Sequence, residues 1–221
     1  MSRAYKPAPA VIRPASDDDL DAIREIAFET GFLGSSMAAM LDDSAIFLRG
    51  LEPHLRDDDR IAFVADDAGE VAGYSIASIG DMRARRAWEE TAGLVHDFRR
   101  WWQLSEKDRN YIAARISAGL YAMTGDERNY RMPEGASLHI NLLPQGRGNG
   151  AGSILLESVF DELRARGAAR VHANSYQSDR NRTAPFWLRH GFEEYSRVRT
   201  SAWSRFAPNE EVDLICFVRD L

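Results

Sequence analysis

Residues 142–160, "LLPQGRGNGAGSILLESVF", pass from an apolar run through a nearly side-chain-free turn into a helical pattern. Glycines let a backbone approach an anion closely, and the first N–H groups of a following helix point at it without intrahelical partners. The helix dipole adds partial positive charge at the same end. Strand, glycine turn and helix start therefore read together as a phosphate cradle. A Walker loop needs a lysine and then Ser or Thr after its last glycine; here Ser153 follows Gly152 and no lysine is near. A Rossmann turn needs G-x-G-x-x-G. Gly146, Gly148 and Ala151 approximate it, but the turn lies two-thirds along the chain and no acidic residue ends the next strand. That reading would predict affinity for NAD.

The flanks give the setting. "ASLHINLLP" reads as a strand ending at Pro144. Ile154, Leu155, Val159 and Leu163 recur at helical spacing until "ARGAAR" ends the series. "RVHANSY" is a strand, and "NRTAPFWLRHGF" a short helix with His190 in its last turn and Gly191 as its stop. "EEYSRVRT" and "VDLICFVRDL" close the chain as strands. Upstream, residues 1–10 are a loose lead-in and "VIRPAS" a strand stopped by Pro14. Ser16 reads as an N-cap with Asp17, Asp18 and Asp19 in the first turn of a helix that Gly31 ends. The aspartate run is thus a cap rather than a metal site. A weaker helical pattern covers residues 35–56. "RIAFVADDAGEVAGYSIASI" reads as a hairpin turning at "DDAGE".

Residues 81–131 break the pattern with two helices. Trp88, Leu94, Val95, Phe98, Trp101 and Trp102 mark one; Tyr111, Ile112, Ile116, Leu120 and Met123 mark the other. Helix packing is the preferred reading of these aromatics over a pocket lining, although the insert also offers apolar surface for a homodimer. The element order β-α-α-β-β-(insert)-β-α-β-α-β-β is an α/β layered plan, with residues 1–221 as one domain.

The chain has 221 residues, 44% hydrophobic and 28% charged, with net charge −6. That balance argues against bulk attraction to nucleic acid or an anionic membrane. No apolar run approaches the roughly 20 residues of a bilayer span, no signal-peptide core is evident, and a cytoplasmic location is expected. The single Cys216 sits in an apolar strand and reads as a buried inert thiol.

Arg147-Gly148-Asn149-Gly150-Ala151-Gly152 reads R-x-x-G-x-G and resembles motif A of the GNAT superfamily of N-acetyltransferases. The register Gln145 to Gly150 also satisfies the pattern. The first is preferred because Pro144 then stands three residues before the arginine. The stretch from Asn181 to Phe192 resembles the family's motif B. The surrounding sequence is similar to a narrower group: the acetyltransferase-like domains attached to some O-GlcNAc hydrolases, and their free-standing bacterial relatives. The resemblance implies a mixed, mostly antiparallel central sheet flanked by helices, with residues 81–131 as a helical insertion.

It further implies acetyl-CoA as donor and no metal. The pyrophosphate would rest on the amides of Arg147, Gly148, Asn149, Gly150, Ala151 and Gly152. The pantetheine would pair with residues 140–143 as an added strand, a backbone N–H near Leu142 or Leu143 facing the thioester carbonyl. Asn181, and secondarily Asn174, would contact the pantetheine. The acceptor implied is a primary amine of a small molecule or peptide, attacking directly in a ternary complex. Its amine must lose a proton first, and His139 is the only titratable residue on the 137–143 strand. A histidine satisfied by backbone partners is the alternative. Asn141 shares its face. The family's thiolate-protonating tyrosine falls at Trp187, leaving Tyr176 or Tyr195, or water, as the acid. Arg83, Arg85 and Arg86 could receive an acidic acceptor or form a solvated helix end. Because of Trp187, a second reading stands: a non-catalytic module that binds acyl-CoA.

Overall fold

The computed structural model describes residues 10–80 and 82–221, the side chains of Arg83, Ala84, Arg86 and Asp126 excepted. The elements are β1 (Val11–Pro14), α1 (Leu20–Thr30), α2 (Ser44–Leu48), α3 (Glu52–Leu55), β2 (Ile61–Asp67), β3 (Glu70–Ser78), α4 (Met82–Arg99), α5 (Glu106–Thr124), β4 (Ala136–Leu142), α6 (Ala151–Ala165), β5 (Arg170–Gln177), α7 (Ala184–Arg189), β6 (Glu193–Arg199) and β7 (Asp213–Asp220). Seven strands form one sheet in the order β1-β2-β3-β4-β5-β7-β6. Every pairing is antiparallel except β4 with β5. This is the expected mixed sheet. The insertion of β7 between β5 and β6 is a topological detail that periodicity does not carry.

The helices cover both faces. From α6, Leu155, Leu156, Val159, Phe160 and Leu163 are fully buried, the last four packing with Leu138, Val171, Ala173 and Phe217 of the sheet. On the opposite face Ile23, Ile26 and Ala27 of α1 meet Val64, Tyr74 and Ile76. A third cluster joins the insert to the segment after α1: Tyr111 and Ile112 pack with Phe32, Met37, Leu41, Ile46 and Trp203. The β2–β3 turn places both Ala68 (φ 57) and Gly69 (φ 97) in the left-handed region, as a two-residue hairpin turn matched to strand twist requires.

Several local expectations are corrected. Asp17–Asp19 form a separate 3-10 turn before α1, because Asp19 is drawn to Arg13 (2.7 and 2.8 Å) as well as to the Ser16 N–H and hydroxyl. Gly31 ends α1 as expected, though in a right-handed conformation; its need for no side chain comes from Phe47, whose ring atom lies 2.4 Å from where a Cβ would sit. The pattern over 35–56 divides into a 3-10 turn at Met37–Ala39, α2 and α3. Asp43 caps α2, and Pro53 falls in the first turn of α3. The insert forms its two helices, but its apolar residues part company. Tyr111 and Ile112 are buried, whereas Trp88, Val95, Phe98, Leu120 and Met123 are exposed and Trp102 is 90% exposed. Packing accounts for one face only. The loose lead-in expected over residues 1–10 lies outside the described residues except for Ala10.

Candidate functional site

Strands β4 and β5 are paired only at Ala136↔Val171 and Ser137↔His172. Beyond those positions they separate. In the antiparallel ladder with β3, the N–H of Leu143 donates to the Ala72 carbonyl at 2.9 Å. Main-chain groups alternate sides along a strand, so those of Ile140 and Leu142 point away from β3 into the widening gap. Of the two candidate amides, Leu142 therefore faces the gap; Leu143 is corrected, because its N–H is held by β3.

The glycine turn stands at the end of this edge. Gly148 (φ 79) and Gly150 (φ 92) are left-handed, and a Cβ built on either would meet nothing within 4 Å. Both border open space. α6 begins at Ala151, three residues before Ile154, the first periodic position, so Ala151 and Gly152 lie in its first turn. The N–H of Ala151 is taken by the Asn149 side chain at 3.0 Å and that of Arg147 by Pro144 at 3.2 Å. Among the described residues, no protein acceptor meets the N–H groups of Gly148, Asn149, Gly150 or Gly152. Four donors and a helix N-terminus therefore front open space beside an unpaired strand edge. These residues fit a pyrophosphate with an amide-bearing arm.

Arg147 reaches over the turn. Its Nε donates to the Leu142 carbonyl (2.9 Å) and its Nη2 to the Gly34 carbonyl (3.2 Å). Burial holds its pKa below the ordinary guanidinium value, and no carboxylate among the described residues pairs with it. Gly34 belongs to a tight turn closed by two 2.8 Å bonds between Phe32 and Ser35, with Leu33 (φ 48) and Gly34 (φ 87) left-handed. A Cβ on Gly34 would lie 3.3 Å from the Asn181 Oδ1. Asn181 in turn donates from Nδ2 to the Tyr176 carbonyl at 2.7 Å. The turn thus brings Arg147 and Asn181 together across the gap. Its sequence, "FLGS", carries a glycine signal after α1, but nothing local says that its tip meets residues more than a hundred positions away.

Around the other face of the sheet, His139 is half-buried on β4, with its ring edge-on to that of His54 at 4.6 Å between centroids. His54 is fully buried, and its Nδ1 lies 3.0 Å from the Ser78 Oγ. Asn141 donates to the Tyr74 hydroxyl at 3.4 Å; burial pushes that phenol well above its ordinary range. Periodicity singles out neither His54 nor Ser78. On β5, Tyr176 packs edge-on against Trp203 (5.4 Å), and Asn174 accepts from Tyr130 at 2.5 Å.

Three sequence candidates fall elsewhere. Trp187 is 5% exposed and packs on Phe192 (5.0 Å) and Phe217 (6.0 Å) within the α6 core. Tyr195 lies on β6, which β7 separates from β5. Arg85 is an exposed partner of Asp57 at 3.5 Å, while the Arg83 and Arg86 side chains lie outside the described residues. Cys216 is fully buried and its thiol is pushed up to about 11 by that burial, in keeping with an inert thiol.

No family model and no curated protein matches the chain. Solved structures do. The protein called SsHAT is similar over 96% of this chain and 98% of its own, with TM-score 0.64 and 24% identity. A putative acetyltransferase of the GNAT family from Desulfovibrio desulfuricans is similar over 96% and 98%, with TM-score 0.52 and 15% identity. The Drosophila melanogaster polyamine N-acetyltransferase, which forms N-acetylagmatine, is similar over 96% and 99%, with TM-score 0.53 and 17% identity. None of the helices among the described residues is long and apolar enough to cross a membrane. With its sheet parted between β4 and β5 beside a glycine turn, and with these likenesses across nearly its whole length, the chain has the GNAT fold.

Proposed function

We propose that this protein is an acetyl-CoA-dependent N-acetyltransferase that acts on a primary amine of a small molecule or peptide. The observation that carries the reading is the parting of β4 from β5 next to unpaired turn amides. One unpaired edge and one anion cradle, placed end to end, match a ligand that is an amide chain ending in a diphosphate. When bound, acetyl-CoA supplies an activated acetyl thioester.

The chain's own groups then have distinct tasks. The amides of Gly148, Asn149, Gly150 and Gly152 hold the pyrophosphate, each charge-assisted contact giving roughly 1.5–3 kcal/mol; those of Arg147 and Ala151, expected to join them, are taken by Pro144 and Asn149. Arg147 adds a cation without a competing carboxylate. The N–H of Leu142 donates to the carbonyl oxygen where negative charge develops during attack. Asn181 positions the amide arm from the β5 side. His139 takes the proton that an ammonium acceptor must lose, and His54 backs it from the core. With Trp187 committed to packing, Tyr176 or water returns the proton to the departing thiolate.

Thermal shifts with acetyl-CoA, coenzyme A and NAD, followed by thiol release over a panel of amines, test the reading. Stabilisation by the CoA species with amine-dependent thiol release is expected. Because Cys216 is buried, the native protein adds no thiol background. Stabilisation by NAD alone would contradict the reading. The core position of Trp187 favours a second reading, a module that binds acyl-CoA without efficient transfer. It predicts the shift without the thiol.

A further inference from the structure

The glycine cradle has a polar neighbour that the tasks above leave unused. Ser153 is the third residue of α6, and side chains in a helix lean toward its N-terminus, here the mouth fronted by the unpaired amides. Its hydroxyl meets His190 at the C-terminal end of α7, with Nε2 2.9 Å from Oγ. α7 stands against this mouth, since a Cβ on Gly152 would lie 3.3 Å from the Phe186 ring. On the other side of the imidazole, Nδ1 lies 2.7 Å from the Phe186 carbonyl oxygen. A carbonyl only accepts, so Nδ1 carries hydrogen. In the neutral ring Nε2 is then bare and accepts from the Ser153 hydroxyl. With its one hydrogen so committed, Ser153 can offer an anion nothing but lone pairs. Both residues are half-buried, so solvent can supply protons to the pair.

A diphosphate reverses what the pair must present, because it calls for donors. One proton from solvent on Nε2 gives the imidazolium, which donates to Oγ and leaves the hydroxyl hydrogen free to turn to a phosphate oxygen. The charged groups around the ring come from three elements. Arg219 of β7 donates to the His190 carbonyl at 2.7 Å and opposes a second cation. Glu157, one turn beyond Ser153 on α6, lies 3.9 Å from Arg219 and offsets it. Arg189, the last residue of α7, is drawn over the Phe186 ring at 5.1 Å. An arriving diphosphate adds negative charge on the Ser153 side and tips this balance toward the imidazolium. We infer that His190 is a positioning residue of the coenzyme site: it takes up a proton as the diphosphate binds and turns the Ser153 hydroxyl into a fifth donor beside the four amides. This rests on the coenzyme A reading above. Because the bound state favours the protonated ring, the added affinity is present on the acid side and is lost as pH rises.

Titrating coenzyme A in buffers of different ionisation enthalpy counts the protons. Wild type is compared with His190→Gln, whose polar side chain does not titrate, and with Ser153→Ala, from about pH 6 to about pH 8, where an imidazole changes charge. The comparison cancels any proton that belongs to coenzyme A itself. Wild type should take up about half a proton more than either variant, and its affinity should fall about ten-fold further than theirs over that range. A role confined to packing α7 on α6 would change thermal stability and leave the proton count as it was. Equal uptake by wild type and His190→Gln overturns the inference, and so does uptake that Ser153→Ala keeps in full. Should the variants not fold, nitrogen resonances of the wild-type histidines decide: a neutral ring with its hydrogen on Nδ1 should become an imidazolium when coenzyme A is added at constant pH, and no such change overturns the inference. A folded wild type that binds no coenzyme A at any of these pH values would instead strike the reading beneath it.

Discussion

His139 is the residue on which the proposed chemistry turns. It is half-buried, close to the edge that faces the gap, and backed by a buried His54 whose Nδ1 is fixed by Ser78. An imidazole so placed can take a proton from the cleft while its orientation is set from the core. His139→Ala should lower kcat and remove the limb of the pH–rate profile that reports loss of that proton. An unchanged profile would remove His139 from the mechanism. At this scale the sequence was informative about type and face, since alternation along "ASLHINL" places His139 and Asn141 together. It was silent on His54. That residue sits in a short helix whose own periodicity marks other positions, and only tertiary packing carries it to His139.

Among the elements, α4 is attached by an unusual fastening. Arg49, just past α2, makes two 2.7 Å bonds to Asp97, which is fully buried. A Cβ on Gly93, one turn earlier, would lie 2.4 Å from the Arg49 side chain, so the glycine makes room for it. Asp108 does similar work for α5: it closes a capping box with Ser105 and accepts from the N–H groups of Asp42 and Asp43 at 2.8 and 3.0 Å. Removing one partner of a buried pair leaves the other charge uncompensated. Asp97→Ala should therefore cost about 3–5 kcal/mol in denaturant unfolding. A loss below about 1 kcal/mol, the usual worth of an exposed pair, would show that the fastening is superficial. Helices and strands were legible here because their apolar periods are long. The 35–56 segment was not, because short pieces set by Asp43 and Pro53 share one run of apolar residues.

For the molecule as a whole, the decisive property is where the sheet comes apart. The glycine turn, the strand before it and the helix after it were all readable from residues 136–165. The parting itself was not, since the loss of pairing beyond Ser137 depends on how β5 and β7 are drawn to their own neighbours. Nor was the crossing of the gap by the Phe32–Ser35 turn, which joins Arg147 and Asn181 through Gly34. Isothermal titration with coenzyme A asks most directly whether this opening grips a diphosphate. Wild type should release heat with one-site saturation, and Gly148→Trp with Gly150→Trp, which fill the open space beside both left-handed glycines, should abolish it while far-ultraviolet circular dichroism stays unchanged. A folded wild-type sample that gives no heat, or a double variant that binds as before, would contradict the account.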